Sequence, residues 1–192
     1  IGTNGYLIGE IDVNEKENVI TSPKLLEFVK EKGLWNPKEG PFNFAKAFGG
    51  GRENRYYDTR RVWSGIRHLS PSLNFSPEVL DFPNFLKPDN KLTVQKIIEV
   101  LRDRYEGTEF AVTPKDGIGS QERPIAMPSC VHTSVLQLRS NIPADVGTVF
   151  WVGMGMPTTA PYIPYYFGIR EIPKEFSMKT GPKYDRDSAF WR

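Results

Sequence analysis

The sequence predicts an α+β fold in which helices are layered on an antiparallel sheet. Three helix-like segments occupy the first half of the chain, where apolar residues recur at helical spacing between Ser, Thr or Asp and Gly or Pro. The last third instead holds two strand-like runs, "SCVHTSVLQLRS" and "TVFWVGMGM", separated by "NIPADVG". Strands and helices do not alternate as they do in nucleotide-binding α/β proteins.

The N-terminal segments are predicted from alternation and from helix signals. Residues 3–12 alternate and contain β-branched and aromatic residues, which predicts a strand or a sheet edge. Ser22 as N-cap and Pro23 at the first helical position predict a helix that ends at Gly33. "PFNFAKAFGGG" predicts a short aromatic helix closed by the glycine run. That run has neither the preceding strand nor the following helix of a phosphate-binding loop.

Two further helices are predicted in the middle of the chain. Asp58 or Thr59 caps a helix through "RRVWSGIRHLS" that Pro71 ends, and a proline-rich connection follows. Thr93 begins a second helix that Gly107 is expected to stop.

The two strand-like runs are predicted to pair as antiparallel neighbours. In "TVFWVGMGM" both alternate faces are apolar, which favours a strand covered on both sides with Phe150 and Trp151 largely buried. No repeat and no linker divides the sequence, so residues 1–192 are expected to form a single domain.

Composition narrows the classes of function. Lys and Arg number 25 against 23 Asp and Glu, a net charge of +2, which offers no strong attraction to nucleic acid or an anionic membrane. One cysteine excludes an internal disulfide framework, and two histidines argue against a histidine-rich metal centre. No apolar stretch reaches membrane-spanning length. We therefore expect a soluble protein without cofactor or metal. A cytoplasmic location is expected, with export of the full-length protein left open, and a homo-oligomer is compatible with the sequence.

The pairing of Cys130 with His132 raises the question of a catalytic thiol and its base. In an extended strand the two side chains point to the same face with Cα atoms roughly 6.5 Å apart, too far for easy direct contact. A small buried thiol beside a polar strand residue is the simpler interpretation.

Six stretches in a fixed order together resemble the cysteine dipeptidases of the N-terminal-nucleophile hydrolase superfamily. They cover most of the chain and are "TNGYLIGEID", "LLEFVKEKGLWNPKEGPFNFAKAFG", "YYDTRRVWSGIRHLSPS", "VLRDRYEGTEF", "RPIA…HTSVLQLRSNIPADVGTVFWVGMG" and "YIPYYFG".

The resemblance implies a part of an αββα sandwich and a peptidase that acts on short peptides. Members of the family use a cysteine at the mature N-terminus, whose α-amine is the general base and has an ordinary pKa near 7.7 to 8.0. Cys130 lies within the chain and cannot take that role. The chain is therefore expected to be an internal or C-terminal fragment, inactive alone, whose partner is the missing N-terminal half of the same protein.

The resemblance carries two supporting site residues onto this sequence. Asn4 in "TNGYLIGEID" resembles the asparagine that helps hold the tetrahedral oxyanion, and its alternative is an ordinary Asn-Gly turn. Arg61 in "YYDTRRVW" resembles the arginine beside the nucleophile, which would favour the thiolate. The alternative for Arg61 is a helix-surface salt bridge to Asp58, and the adjacent Arg60 leaves the assignment open by one position.

Two other functions remain open at this point. The chain could be a non-catalytic module in which tyrosines and prolines of "MPTTAPYIPYYFG" form a peptide-binding groove. A related amidase acting on a non-peptide amide is the third hypothesis, because fold and nucleophile do not fix the substrate.

Overall fold

The computed structural model describes residues 9–49, 57–80, 82–83, 85–113 and 122–174. The chain divides into two compact units, Ile1–Asn90 and Lys91–Arg192. The expectation of a single domain over residues 1–192 stays a prediction.

In the first unit, two short helices pack with an extended segment. Helix α1 spans Leu25–Glu31 and helix α2 spans Phe44–Phe48. Within residues 9–12, Glu10 forms an isolated antiparallel bridge with Asn43. The rest of the strand predicted at 3–12 lies outside the described residues.

The core of this unit is aromatic and aliphatic. Val29, Phe42 and Ala47 are buried, and the partly buried side chains packed on them are those of Ile11, Val13, Leu25, Leu26, Trp35, Phe44 and Phe48. Trp35 meets Phe42 edge-on with ring centroids 5.5 Å apart, the arrangement that the ring quadrupoles favour.

Helix α1 starts later than its sequence signals indicate. The structure places its N-cap at Lys24 without a side-chain cap, while Ser22 contributes only its carbonyl, which accepts the Leu25 N–H at 3.1 Å. Pro23 therefore belongs to a turn before the helix. The predicted end is confirmed, because Gly33 has φ +66° and ends the helix in the left-handed region.

Helix α3 spans Thr59–Leu69 and organises the proline-rich connection that follows it. A 3₁₀ turn at Pro71–Leu73 comes directly after its C-cap, Ser70. The indole N–H of Trp63 donates to the Phe75 carbonyl at 2.8 Å, and the Ser70 hydroxyl donates to the Lys87 carbonyl at 3.0 Å. The connection therefore folds back along α3.

The second unit is a helix with a three-stranded antiparallel sheet. Helix α4 spans Val94–Leu101, and strands β1 at His132–Leu138, β2 at Thr148–Met154 and β3 at Tyr162–Tyr166 lie in the order β1-β2-β3. The predicted β1–β2 pairing is confirmed, with Leu136 opposite Phe150 and Val135 opposite Trp151. Their connection contains a short helix α5 at Ala144–Gly147.

The predicted extension of α4 to Gly107 is wrong. The helix begins as expected, with the Thr93 side chain accepting the Lys96 N–H at 3.1 Å, but it ends at Leu101. The next residues turn inward: Asp103, Arg104 and Tyr105 are buried, and Tyr105 has φ +64°. The carbonyls of Asp103 and Arg104 accept the N–H groups of Ala126 and Val112, so hydrogen bonds to later segments replace helical ones.

The prediction that β2 is covered on both faces is also wrong for the described structure. The inner face carries Val149, which is buried, and Trp151, which is half-buried. On the opposite face Phe150 is 44% exposed, and its neighbours Leu136, Leu138 and Ile163 are exposed too. We call these four residues the open face of the sheet.

Strand β3 lies in the segment that the sequence suggested as a groove of tyrosines and prolines. Pro164 argues against a strand in the sequence, because proline cannot donate to a ladder. The Phe167 N–H donates to the Thr148 carbonyl at 3.0 Å, so the odd-numbered residues of β3 bond to β2. Pro164 is even-numbered, and its missing N–H faces away from β2.

Candidate active site

The resemblance carries over two site residues, Asn4 and Arg61, and only Arg61 lies within the described residues. Asn4 lies outside the described residues, so its place near an oxyanion stays a prediction, as does its convergence with Arg61. Arg61 is described, at the third position of α3.

Arg61 bends back onto the start of its own helix. Its guanidinium lies 3.9 Å from the Asp58 carboxylate and also donates to the Tyr57 carbonyl, and its side chain is 14% exposed. The salt bridge to Asp58 was the alternative interpretation of this arginine, and it is present. A role of Arg61 beside a nucleophile stays a prediction.

The neighbouring Arg60 points elsewhere, since successive residues of a helix are about 100° apart around the axis. Its side chain is 4% exposed and lies 3.4 Å from the carboxylate of the half-exposed Glu78. A buried guanidinium is stable only when it is paired and hydrogen-bonded. Arg60 therefore has a structural partner in the connection after α3, whereas Arg61 forms its described ion pair at the start of its own helix.

Further polar side chains follow Arg60 along α3. Ser64 is fully buried, and the Arg67 guanidinium lies 3.4 Å from its hydroxyl and from His68 Nε2. Arg67 also stacks 5.4 Å above the ring of Trp63. Ser64 and His68 lie one and two turns after Arg60, a helical spacing that could have identified them from the sequence.

Cys130 and His132 do not share an extended strand. Strand β1 begins at His132, and the Cys130 N–H donates to the Met127 carbonyl at 3.1 Å in the turn that precedes it. The thiol is half-buried. The extended geometry from which a separation of roughly 6.5 Å was expected is therefore absent at this pair, and the interpretation of the pair stays a prediction.

A polar cluster in the second unit escaped the sequence analysis. The Tyr162 hydroxyl lies 2.6 Å from the Thr133 hydroxyl, and the Arg102 guanidinium lies 5.5 Å from the Tyr162 ring centroid. Arg102 also donates to the carbonyls of Pro157 and Ala160 at 3.2 and 2.8 Å. The arginine thus fastens α4 to the β2–β3 loop. The sequence contains little indication of these contacts, because Arg102 and the carbonyls that it bonds are 55 residues or more apart.

Burial raises the pKa of the Tyr162 hydroxyl above its ordinary value of 10.0, and Cys130 raises it slightly further. The hydrogen bond from Thr133 and the charge of Arg102 act in the opposite direction. Tyr162 is therefore neutral at physiological pH and can donate or accept a hydrogen bond.

A groove of about 680 Å³ lies in the second unit between the start of α4 and strand β1. Val94 and Ile97 line one side, and Val135 and Trp151 line the other. The Trp151 indole donates to Gln137 at 3.2 Å, which fixes the ring orientation. The groove is large enough for a short peptide and has mixed polar and apolar walls.

Within the described ranges, no three His, Cys, Asp or Glu side chains are grouped as metal ligands. The helices of the same ranges include none long and apolar enough to cross a membrane.

Curated relatives of this chain carry dipeptidase names. It is 33% identical over 193 residues to a "Probable dipeptidase" of Latilactobacillus sakei, a match that includes 94% of this chain. It is 32% identical to a "Probable dipeptidase" of Salmonella dublin over 88% of the chain, and 25% identical to "Dipeptidase A" of Lactobacillus helveticus over 100% of it. In each case the match spans 40% of the relative's length.

The family comparison covers every residue of the chain. The model described as "Peptidase family C69" matches residues 1–192, including the segments that hold Asn4, α3 and the three-stranded sheet. The chain belongs to peptidase family C69.

Proposed function

We propose that this chain is part of a cysteine dipeptidase of the N-terminal-nucleophile type that hydrolyses short peptides. The observation that carries the proposal is the family match over all 192 residues, together with the dipeptidase names of relatives at 32 and 33% identity. The chain spans 40% of those relatives, which leaves room for a nucleophile outside it. Its partners in this proposal are the peptide substrate and the remainder of the same polypeptide.

The proposed chemistry assigns the nucleophile to an N-terminal cysteine outside these residues. Its α-amine takes the thiol proton, the thiolate attacks the peptide carbonyl, and the protonated amine returns the proton to the leaving amine. Water then hydrolyses the thioester. Asn4 donates a hydrogen bond to the oxyanion, and Arg61 favours the thiolate by its positive charge.

The proposed fold of the longer polypeptide is the αββα sandwich. The open face supports it, because Leu136, Leu138, Phe150 and Ile163 place exposed apolar side chains on one face of all three strands. Soluble proteins rarely leave such surfaces in water, and a second sheet would cover it.

The test uses the full-length polypeptide. Its mature N-terminal residue is identified by intact mass and N-terminal sequencing, and hydrolysis of a set of dipeptides is followed by release of free amino acids. We expect an N-terminal cysteine whose replacement by alanine abolishes turnover. Cys130→Ser is the matched control, and its turnover should stay within a few-fold of wild type because an internal thiol lacks a free α-amine.

Two outcomes would replace the proposal by its alternatives. Binding of short peptides without turnover, in a protein with no N-terminal cysteine, would favour the peptide-binding module. Turnover of non-peptide amides with no dipeptide hydrolysis would favour the related amidase. A thousandfold loss of activity in a folded Cys130→Ser variant would return the thiol of this chain to the catalytic site.

A further inference from the structure

Strand β1 is an edge strand of the described sheet, and the direction of its free backbone groups can be derived. The Arg139 N–H donates to the Gly147 carbonyl at 3.0 Å, and the Gly155 N–H donates to the Val131 carbonyl at 2.7 Å. These two bonds lie at the two ends of the β1–β2 ladder. They show that the odd-numbered residues of β1 form the hydrogen-bonded pairs with β2. The N–H and C=O groups of the even-numbered residues therefore point away from β2.

The outward positions of β1 are His132, Ser134, Leu136 and Leu138. Leu136 and Leu138 are 60% and 72% exposed, and "HTSVLQL" contains no proline, glycine, lysine, arginine or carboxylate. Proteins usually protect an edge strand with a charge, a proline, a bulge or a covering element. Within the described part of the chain, β1 carries no charge, proline or bulge, and the start of α4 lies across the groove that Leu136 and Leu138 also line.

The opposite edge of the sheet differs in this respect. Pro164 occupies an outward position of β3. Because proline has no N–H, it cannot donate a backbone hydrogen bond to a strand added at this edge. An added strand is thus disfavoured at Pro164 of β3, whereas every outward position of β1 keeps its N–H.

We infer that a segment of the same polypeptide, outside residues 1–192, adds a strand to the outer edge of β1. The matched relatives are two and a half times as long as the part this chain spans, and a polypeptide of that length would offer such a segment. The inference shares with the proposed function only the premise of a longer polypeptide.

Two other occupants fit the edge less well. A dipeptide has too few backbone groups for the four outward positions of a seven-residue strand. A second copy paired through this one short strand would bury much less than the roughly 800 Å² per partner of a stable interface.

Amide hydrogen exchange of the full-length polypeptide tests the inference residue by residue. The N–H groups of Thr133, Val135 and Gln137 bond to β2 and provide the internal reference for a paired strand. We expect the outward N–H groups of Ser134, Leu136 and Leu138 to exchange within about tenfold of that reference, because a partner strand would bond them equally. Exchange more than a hundredfold faster at these three positions would overturn the inference.

Proline variants provide an independent measurement. Leu136→Pro deletes an outward N–H of β1, and Tyr166→Pro deletes an outward N–H of β3, where Pro164 already blocks pairing. Each is compared with alanine at the same position, which isolates the effect of proline from that of side-chain loss. We expect the proline variant at position 136 to lower Tm by several degrees more than the one at 166. Equal shifts would contradict the added strand.

The remaining outcomes also decide the question. Protection of β1 that depends on protein concentration would assign the edge to a second copy and overturn the inference. Protection that appears only with saturating dipeptide would assign it to substrate and also overturn it. Protection of β1 in a polypeptide without dipeptidase activity would support the inference and reject the proposed function. Dipeptidase activity without protection of β1 would support the proposed function and overturn the inference.

Discussion

At the scale of single residues, the structure separates two adjacent arginines that the sequence could not distinguish. Arg60 is buried against Glu78, and Arg61 bends toward Asp58 and the Tyr57 carbonyl. The side chains of Arg61 and Asp58 are only 14% and 19% exposed, so removing Arg61 leaves a largely buried carboxylate without this partner. Thermal unfolding of an Arg61 variant is therefore measured first, so that a loss of stability can be separated from an effect on a nearby thiol.

We predict that Arg61→Gln in the full-length polypeptide raises the pKa of the catalytic thiol by about one unit, because a nearby cation stabilises the thiolate. The pH dependence of thiol alkylation measures this shift. The control is Arg67→Gln on the same helix, whose cation stacks on Trp63 and should leave the profile unchanged. An unchanged profile in the Arg61 variant would remove this arginine from the site.

The second residue prediction concerns Asn4. Replacing it by alanine should lower kcat by roughly a hundredfold with less effect on KM, since an oxyanion donor acts mainly in the transition state. Steady-state kinetics on one dipeptide provide the measurement. Normal kcat would indicate that Asn4 is the turn residue of an ordinary Asn-Gly sequence.

At the scale of elements, the connection after α3 is held by polar contacts at both of its ends. Near its start Arg60 reaches Glu78, and near its finish the Ser72 N–H and hydroxyl both donate to the Asp89 carboxylate, at 2.9 and 2.6 Å. These contacts explain how a segment rich in proline keeps a defined path without a strand or a long helix.

Asp89 offers a pH-dependent test of this arrangement. The two hydrogen bonds from Ser72, the side-chain bond first, hold the pKa of the Asp89 carboxyl below its usual value of 3.8. Because the folded pKa is lowered, the stabilisation is present above pH 3.8 and is lost as the pH falls through the folded pKa. Ser72→Ala should return the pKa toward 3.8, as followed by carboxyl NMR titration.

The matched control for Ser72 lies in the same connection. The Ser76 hydroxyl accepts the Glu78 N–H at 3.2 Å and does not touch Asp89, so Ser76→Ala should leave the Asp89 titration unchanged. An Asp89 titration that does not respond to Ser72→Ala would contradict the assigned contacts.

At the scale of the whole molecule, the open face of the sheet is the feature that most needs the longer polypeptide. Leu138 is 72% exposed and Ile172, outside the sheet, is 65% exposed. If a second sheet covers the open face, Leu138→Lys buries a charge in the full-length protein and Ile172→Lys does not. We expect Tm to fall by about 5 °C or more for Leu138→Lys and by about 1 °C for Ile172→Lys, as measured by calorimetry. Similar shifts in the two variants would argue against the sandwich.

The sequence predicted those parts of the fold that depend on neighbouring residues. The start of α4 follows from the capping hydroxyl of Thr93, and the end of α1 follows from a glycine in the left-handed region. The β1–β2 pairing follows from two runs of β-branched and aromatic residues. Each of these signals acts over a few positions. The order of six stretches likewise identified the family, because that information lies in the chain itself.

By itself, then, the sequence determined the family, the helix-and-sheet class and the candidate pair Asn4 and Arg61. Only the tertiary structure decided that α4 stops at Leu101, where the Asp103 carbonyl bonds to Ala126 in a later segment, and that Pro164 lies within a strand. It also decided the partners of the two arginines and the exposure of Phe150. The physical reason is that hydrogen-bond partners and burial depend on segments remote in sequence, whereas caps, turns and periodicity depend on adjacent residues.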